Sequence, residues 1–585
     1  MTVLLDREAP RTLDMLLGDL SAGHEGAVVE AWLFEDEAAR REAEDKLAAA
    51  GVSARLRCAY KPLLHAFLEE IDTVGLASAT IRYPVHPAAV PGRFLLEAYP
   101  LAALLDGVEL RFEPGDETLR YRVSLRYRDG RTAPAEVFAP NHLAPDHLGT
   151  NSLSPTGWLR VTGRPDGEPD LDERLETEVE ELFHAAVGAV QAHPWGPQEP
   201  YFERLSIAVE APAIERALPF QEEGVSLHEA LHEDLYFSLL EVFQRRSGRP
   251  LGDRGLQPGQ IVPEIRSPSG APRVRVETVT FSDALGVDLA DEAGDWPEQA
   301  LETAEAPLSI AQLHRELAAL GGHPILARSR QGRTVPGLIR PGEWPAVLVT
   351  GGQHANETTG PVGALRAARA LLQDPENSIA LVPLENPDGY ALHQRLCRDN
   401  PRHMIHAARY TALGDDLQSR TGEELYELAA RREAIARSGA QLHVNLHGYP
   451  AHEWTRPFTG YLPRGFEAWT IPKGFFLILR HRPGWEEAGR ALIEAVTRRL
   501  ARIEPLLEMN RAQLAAHGAH GGAGSFTEIN GIPCLISPDE RHGPPLTLIA
   551  EFPDETIYGD RFALGHTVQM ETVLAAVEHH AGVMA

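Results

Sequence analysis

The stretch PAVLVTGGQHANETTG, residues 345–360, joins a short apolar run to a turn that is rich in glycine and polar residues. A helical pattern, TGPVGALRAARALLQD at 359–374, follows at once. Similar apolar runs occur downstream between further helical patterns: SIALVPLEN at 378–386, QLHVNLHGY at 441–449, GFFLILRH at 474–481 and LTLIAEFPDET at 546–556. Strands that are apolar throughout and alternate with helices are typical of a parallel sheet covered on both faces. The sequence therefore predicts an α/β domain with a largely parallel sheet.

Polar side chains follow these strands where the strands end. His354 and Glu357 come after the first run, while His447 and Glu551 lie near the ends of two others. Ligand sites in such sheets form at the carboxyl ends of the strands, so we expect these side chains to converge. Two imidazoles and one carboxylate can hold a zinc ion and leave a fourth position open for water. Glu551 could take a proton from that water, so the chain is a predicted metallohydrolase.

The net charge argues against several other functions. The chain has 585 residues and a formal charge of −29, and no basic cluster offsets this charge. Phosphate backbones and anionic lipid headgroups would be repelled, so nucleic acid and membrane surfaces are not expected partners. No uncharged stretch approaches the roughly 18 residues that are needed to cross a bilayer, and the first residues lack the pattern of a signal peptide. Together with three scattered cysteines, these features predict a cytoplasmic protein with reduced thiols.

An acidic segment divides the chain into two halves. Residues 285–308 are rich in Ala, Glu and Asp and lack an apolar period, which is typical of a linker. The upstream half, residues 1–290, mixes strand, helix and hairpin patterns and is predicted to be α+β, with two subdomains separated near 145–172. Its motifs do not reveal a role: it could restrict access to the site, assemble a homo-oligomer or contact a partner. The downstream half, residues 309–585, carries the predicted metal site.

Several short motifs of the downstream half occur in a defined order. They are GGQHANETTG at 351–360, ENPDGY at 385–390, RLCR at 395–398, LGDD at 413–416, LHGY at 446–449 and EFPDET at 551–556. In this order they resemble the zinc carboxypeptidases of the M14 family, which implies an α/β/α domain with a mixed, largely parallel sheet and one zinc ion. The resemblance also implies that His354, Glu357 and His447 bind the zinc and that Glu551 is the general base. The substrate would be a peptide or a small amide.

The resemblance implies further roles around the metal. Arg398, in RLCR, matches the cation that stabilises the negatively charged oxygen formed during attack on a carbonyl, and a rigid guanidinium suits this role. Arg395 is a weaker candidate for contact with the substrate. Asp416 resembles the carboxylate that orients the first zinc histidine through its other ring nitrogen, and the adjacent Asp415 is a competing choice.

The residues that would contact the substrate depart from the family pattern. Where the carboxypeptidases have an Asn-Arg pair that grips the terminal carboxylate, this chain has Gln418, Ser419 and Arg420. Arg420 could take over the grip, because a guanidinium fork binds a carboxylate through two hydrogen bonds. Asn386 and Tyr449 are the other predicted substrate contacts.

Three functions compete for these features. The first is a metallocarboxypeptidase. The second is a zinc-dependent deacylase, an amidohydrolase similar to succinylglutamate desuccinylase and aspartoacylase, because Asn356 stands where the carboxypeptidases usually have an arginine. The third is a binding module in which the upstream half supplies the function.

A rival metal motif lies in the upstream half. HEALH at 228–232 places two histidines four residues apart in a segment with a helical period, and such a pair can share one zinc ion. Acidic residues follow directly, where a zinc-binding helix of this type is normally apolar, and the sequence offers no convincing third ligand. We interpret the segment as a charged helical face without metal.

Overall fold

The upstream half alternates strands with helices throughout. In this computed structural model, the described residues of the whole chain are 1–163, 170–282, 297–453, 464, 466, 470–521, 526–540 and 543–584. The strands of the upstream half are β1 (Thr2–Glu8), β2 (Val28–Leu33), β3 (Ser53–Cys58), β4 (Leu76–Tyr83), β5 (Glu109–Pro114), β6 (Arg120–Tyr127), β7 (Thr132–Phe138), β8 (Asn141–Pro145), β9 (Asn151–Pro155), β10 (Gly157–Thr162), β11 (Leu171–Leu175), β12 (Arg204–Glu210), β13 (Glu215–Ala217), β14 (Gly224–Ser226), β15 (Gln260–Arg266) and β16 (Arg273–Val279). Its helices are α1 (Thr12–Leu20), α2 (Glu37–Ala49), α3 (Pro62–Glu69), α4 (Arg93–Glu97), α5 (Pro100–Leu104), α6 (Glu178–Ala192) and α7 (Leu227–Ser247).

The strands of this half form several small sheets. Three of these sheets have the orders β1-β16-β12-β15, β11-β10-β2-β3 and β5-β4-β6-β7. β6 and β7 pair as an antiparallel hairpin, and its turn contains Gly130 at φ +89°, a backbone conformation that glycine adopts without steric cost. Small sheets with helices packed against them agree with the predicted α+β region.

The stretch predicted to separate two subdomains, 145–172, contains paired strands. β9 pairs with β8, and β10 lies between β11 and β2. Residues 164–169 of this stretch lie outside the described residues. The described residues of this stretch thus belong to small sheets, and the division of the upstream half into two subdomains stays a prediction.

The downstream half is layered around one large sheet. Its strands are β17 (His323–Arg328), β18 (Thr334–Arg340), β19 (Val347–Gly351), β20 (Ile379–Val382), β21 (Leu442–Pro450), β22 (Phe476–His481), β23 (Thr527–Ile529), β24 (Ile532–Pro538) and β25 (Leu546–Glu555). Its helices are α8 (Ile310–Ala319), α9 (Thr359–Leu371), α10 (Pro387–Leu396), α11 (Leu428–Ser438), α12 (Glu486–Leu500), α13 (Glu504–Gly521) and α14 (Asp560–Met584), with short 3-10 turns at Leu301–Thr303, His406–Ala408 and Leu417–Ser419. α9, α12 and α14 share one apolar core with the sheet, and α11 packs with the sheet in another.

The large sheet is mixed, with a parallel centre. The order of its described strands is β17-β18-β20-β19-β21-β25-β22-β24-β23. β20, β19, β21 and β25 run parallel, so their carboxyl ends meet at one edge. β22 runs antiparallel to β25, and β18 runs antiparallel to β20, so an antiparallel pairing borders the parallel centre on each side. The predicted α/β/α fold with a mixed sheet is confirmed.

The predicted linker lies partly outside the described residues. Residues 283–296 belong to that part of the chain. From Leu301 onward the chain packs into the core of the downstream half, where Leu301 and Leu308 are buried.

The two halves share a tightly packed interface. α10 and residues 404–410 lie in the same apolar cluster as α7, β12 and β15 of the upstream half. Buried charges add to this contact: Glu229 lies 2.8 Å from His452 Nε2, and Lys61 pairs with Glu453. Burial alone would lower the pKa of His452, but the Glu229 carboxylate raises it to about 9. The halves are therefore joined by apolar packing and by buried ion pairs.

Two further features of the described residues concern the cysteines and the helices. Cys58, Cys397 and Cys534 are buried free thiols. Among the described residues, no helix has the length and apolar character that crossing a membrane requires.

Candidate metal centre

Three side chains converge at the carboxyl edge of the central strands. His354 follows β19, Glu357 lies in the turn before α9, and His447 lies near the end of β21. His354 Nδ1 is 2.7 Å from Glu357 Oε1 and 3.1 Å from His447 Nδ1, and His447 Nδ1 is 3.0 Å from Glu357 Oε2. All three residues are buried. Within the described ranges, no other three His, Cys, Asp or Glu side chains meet in this way.

This trio fits a zinc ion. Zinc lies about 2.0–2.2 Å from nitrogen and oxygen ligands, so the ligand atoms around a tetrahedral zinc are roughly 3.3 Å apart. The observed separations are close to that value. Two ring nitrogens that face each other at 3.1 Å cannot both carry a proton between them, whereas both can donate lone pairs to one cation. His354 Nδ1, His447 Nδ1 and the Glu357 carboxylate are therefore suited to hold zinc.

Glu357 is stabilised as a carboxylate. Burial alone would raise its pKa, but the charges of His354 and Arg409 lower the pKa well below its usual range. The Arg409 guanidinium donates to Glu357 Oε1 at 2.7 Å, and the backbone N–H of Gly448 donates to Oε2 at 2.9 Å. At neutral pH this group is ionised, as a metal ligand must be.

The other ring nitrogen of His354 faces Asp416. Its Nε2 atom is 3.4 Å from Asp416 Oδ2, and the side chain of Gln353 donates to Asp416 Oδ1 at 2.9 Å. Asp415, the competing choice, pairs with Arg420 instead. Asp416 is thus the carboxylate beside His354, in the position from which it can fix the orientation of the ring.

Glu551 lies next to His447 on the neighbouring strand. The two residues are partners in the parallel register of β21 and β25, so their side chains project from the same face of the sheet. Glu551 is buried, and burial together with the charge of Glu357 raises its pKa well above the usual range. The positive charges of Arg409 and Lys473 act in the opposite direction. A carboxyl group with a raised proton affinity beside a metal group is suited to accept and return a proton.

The arginine beside the metal group is Arg409 and not Arg398. Arg398 is exposed after the end of α10. Arg409 is buried: it donates to Glu357, and its Nε atom has no hydrogen-bond partner among the described residues. A guanidinium stabilises a developing charge most strongly where water is excluded, and the arginine in such a position beside the metal trio is Arg409, whereas Arg398, predicted for this role, lies at the surface.

The two other arginines predicted to contact the substrate are held by carboxylates of the protein. Arg395 Nη1 donates to Glu264 of the upstream half at 2.9 Å. The Arg420 side chain is fully buried and pairs with Asp415 and Glu427, at 2.7 Å in each case. Since these ion pairs use its guanidinium, Arg420 cannot grip a substrate carboxylate, and that prediction is wrong.

Asn386 and Tyr449 hold loops around the site. Asn386 caps α10 through its side-chain oxygen and donates to the carbonyl oxygen of Tyr410 at 3.1 Å. The buried hydroxyl of Tyr449 donates to the carbonyl oxygen of Gly474 at 2.6 Å and accepts from the backbone N–H of Lys473 at 3.0 Å. Both side chains are used in these contacts, which corrects their prediction as substrate contacts.

The HEALH motif lies in α7, a helix that is buried along most of its length. His228 Nε2 is 3.0 Å from the carbonyl oxygen of Ala211, and Glu229 pairs with His452 across the two halves. Burial lowers the pKa of His232 to about 3. The charged face predicted for this helix is therefore buried against the rest of the protein.

Sequence reasoning missed three residues near the metal group. They are Arg409, Lys473 and Glu555. Burial lowers the pKa of Lys473 to about 8 and raises the pKa of Glu555 to about 7. Glu555 Oε1 lies 3.8 Å from Arg409 Nη1. A signal existed for Arg409, which precedes Asp416 by seven residues in ARYTALGDD, so a loop that brings Asp416 to His354 could also bring Arg409.

Comparison with known families agrees with this geometry. Residues 324–420 match the family model described as zinc carboxypeptidase. The matched segment contains His354, Glu357, Arg409 and Asp416. The match confirms the resemblance that the motifs indicated, and together with the metal trio it shows a zinc hydrolase. A search of curated proteins finds no significant match.

Solved structures of carboxypeptidases show a weak likeness to part of the chain. A metallo-carboxypeptidase from Burkholderia cenocepacia is 16% identical, with a TM-score of 0.28, over 55% of this chain and 74% of its own. A metallo-carboxypeptidase from Pseudomonas aeruginosa is 14% identical, with a TM-score of 0.27, over 54% of this chain and 74% of its own. Carboxypeptidase A from Helicoverpa armigera is 12% identical, with a TM-score of 0.28, over 54% of this chain and 90% of its own. Scores this low carry no argument about substrate or mechanism.

Proposed function

We propose that this zinc hydrolase, whose residues 324–420 match the zinc carboxypeptidase family, is a metallocarboxypeptidase that hydrolyses a peptide or amide bond. The observation that carries the proposal is the register of Glu551 with His447, because it sets a proton acceptor beside the metal group. The proposal also includes one zinc ion per chain, a peptide or small amide as substrate and a cytoplasmic location.

Each buried residue of the site has its own role in the proposed reaction. A bound zinc supplies a Lewis acid, which polarises a carbonyl oxygen and increases the acidity of water. A carboxylate oxygen of Glu551 takes the proton of the attacking water and returns it to the nitrogen of the leaving amine. The guanidinium of Arg409 stabilises the negative charge that develops on the carbonyl oxygen. Asp416 keeps the ring of His354 in the orientation that turns Nδ1 toward Glu357 and His447.

Replacement of Arg409 tests whether its guanidinium stabilises the charge that develops on the carbonyl oxygen. Arg409→Gln is expected to lower kcat/KM by about a hundredfold to a thousandfold, the usual loss when one donor to a developing oxyanion is removed. Arg398→Gln is the matched control, because it changes an exposed arginine and should leave kcat/KM within about twofold. Zinc content is measured on the same samples, so that loss of metal is not mistaken for loss of catalysis. A large loss in Arg398→Gln with none in Arg409→Gln would restore the assignment made from the sequence.

Peptides that differ only at the C-terminus test the proposed activity. The zinc-loaded, full-length protein should release single residues from a free C-terminus and should act at least about a hundredfold more slowly on the same peptide amide. Mass spectrometry of the products measures both rates. If neither peptide is cleaved by protein that carries zinc, the proposed activity is refuted.

A zinc-dependent deacylase, similar to succinylglutamate desuccinylase and aspartoacylase, is the second candidate. It is favoured by the ion pairs of Arg420 with Asp415 and Glu427, which leave this arginine unable to hold a terminal carboxylate. Turnover of small N-acyl amino acids, with no dependence on a free C-terminus in peptides, is the result that would favour the deacylase.

A further inference from the structure

A large cavity lies on the face of the sheet that carries His447 and Glu551. Its volume is about 760 Å³. Asn445 and Ile549, which line it, are register partners that lie two residues before His447 and Glu551 on β21 and β25. Residues two apart in a strand project from the same face, about 7 Å from each other. The cavity wall therefore includes the neighbours of His447 and Glu551 on the same face of the sheet.

The wall of this cavity is basic, in contrast with the rest of the chain. Acidic residues outnumber basic ones by 84 to 55 in the sequence. The ionised side chains of the described wall are four arginines and one aspartate: Arg420, Arg431, Arg432, Arg480 and Asp539. Such a wall favours an anion over the acidic remainder of the protein only where an arginine is not already neutralised by a carboxylate.

Two of the arginines form the rigid part of the wall. Arg420 pairs with Asp415 and Glu427, and Arg431 pairs with Glu385. These carboxylates are not among the residues that line the cavity, so they lie behind the guanidiniums and hold them in place. The pairs also neutralise both arginines, and the charge available to a ligand must come from Arg432 and Arg480.

Arg480 and Arg432 have capacity to bind an anion. Arg480 Nη1 is 3.5 Å from Asp539 Oδ2, which is a long contact, and the Arg480 side chain is 33% exposed, so part of its guanidinium is open to a ligand. Arg432 is exposed on α11 and belongs to the same wall. A guanidinium with unused N–H groups binds a carboxylate through two parallel hydrogen bonds.

We infer that this cavity takes a carboxylate-bearing group of the substrate, next to the bond that is hydrolysed. The inference rests on the proposed function and adds a substrate class to it, namely peptides or amides with an acidic group near the scissile bond. Leu428 and Ile549 give the wall an apolar area for the carbon chain that carries the carboxylate. The carboxylate belongs to the side chain of a terminal acidic residue or to a dicarboxylic acyl group, since both present the same chemistry.

Binding without turnover tests this inference separately from the proposed function. The zinc-loaded Glu551→Gln variant of the full chain is titrated by calorimetry with acetyl-Ala-Glu and acetyl-Ala-Gln, which differ only in a carboxylate and an amide. Succinyl-alanine and succinamoyl-alanine form the second pair and place the same difference on the acyl side. We expect the acid of one pair to bind at least about tenfold more tightly than its amide, and the pair that shows this preference identifies the source of the carboxylate.

Arg480→Gln, added to the same variant, should remove most of this preference and leave the affinity of the amide within about twofold. Arg437→Gln is the matched control, because Arg437 is exposed on the same helix as Arg432 and does not line the cavity. Equal affinities within both pairs, absence of binding in both pairs, or a preference that survives Arg480→Gln would each overturn the inference.

Hydrolysis by the wild-type protein is measured in parallel. Preferential binding of the acid without hydrolysis of any substrate would refute the proposed function and leave the inference intact. Release of single residues from peptides without any preference for an acidic group would support the proposed function and overturn the inference.

Discussion

Glu551→Gln is expected to slow turnover by at least about a hundredfold while zinc stays bound. Glutamine keeps the size of the side chain, but it cannot take a proton from the attacking water or return one to the leaving amine. Glu551 is not part of the trio that fits the metal, so the zinc content should not change. Turnover of a peptide with a free C-terminus and the zinc content, determined by elemental analysis, are measured on the same preparation. Full activity of this variant would refute the proposed mechanism.

Glu555→Gln is the matched control for the loss of a buried glutamate from the same strand. Burial raises the pKa of Glu555 to about 7, so at neutral pH this group is partly protonated and already resembles glutamine. We expect its turnover to change by less than about tenfold. If Glu555→Gln proved as slow as Glu551→Gln, the proton transfer could not be assigned to Glu551.

The pH profile gives a second measure of the role of Glu551. Burial and the charge of Glu357 raise the pKa of Glu551, so the carboxylate form is lost as the pH falls through a value above the usual range of a glutamate. A general base acts only when it is deprotonated, and kcat/KM of the wild type should therefore decrease on the acid side. The residual activity of Glu551→Gln should lack this decrease.

His447→Ala is expected to abolish stable zinc binding and, with it, hydrolysis. The variant keeps only His354 and Glu357, whereas catalytic zinc sites use three protein ligands. After dialysis, the zinc content should fall from about one ion per chain to less than about a tenth of that. Zinc that binds only the folded protein stabilises it by about 2.7 kcal/mol at a hundred times the Kd. Added zinc should thus raise the Tm of metal-free wild type and leave the Tm of His447→Ala unchanged.

His443→Ala is the matched control for the loss of a buried imidazole. His443 lies four residues before His447 on the same face of β21, but its Nε2 atom is 2.8 Å from the hydroxyl of Thr350. We expect this variant to keep its zinc, even if the loss of the hydrogen bond lowers the free energy of unfolding by about 1–3 kcal/mol. Zinc bound at the wild-type level by His447→Ala would mean that the ion occupies another site.

The metal histidines and Glu551 were predictable because each lies near the carboxyl end of an apolar strand. His354 lies three residues after β19, and His447 and Glu551 lie within β21 and β25 near their carboxyl ends. Carboxyl ends of parallel strands meet at one edge of a sheet, so recognition of the strands was enough to bring these side chains together. The antiparallel strands β22 and β18 were less predictable, since the apolar pattern of a buried strand carries no information about its direction.

Arg409 was harder to predict because its loop depends on distant contacts. The backbone N–H of His406 donates to Glu233 at 3.2 Å, and the backbone N–H of Gly259 donates to the carbonyl oxygen of Leu413 at 2.9 Å. Both partners belong to the upstream half, and no local pattern around 400–416 points to them. Motif order alone could not distinguish this arginine from its neighbours.

Arg420, by contrast, had a local signal that was not used. Asp415 lies five residues before it and Glu427 seven residues after it. An arginine between two acidic residues at such short range is often ion-paired within its own loop, and burial of the whole group then removes it from contact with a ligand.

The segment 254–259 of the upstream half borders the catalytic centre directly. The backbone N–H of Asp416 donates to the carbonyl oxygen of Arg254 at 2.8 Å, and the side chain of Gln257 donates to Asp415 at 2.9 Å. A substitution that moves this segment would displace the loop of Asp415 and Asp416, and Asp416 contacts the ring of His354. Exchanging the first half for another module would therefore remove both of these hydrogen bonds from the edge of the metal centre.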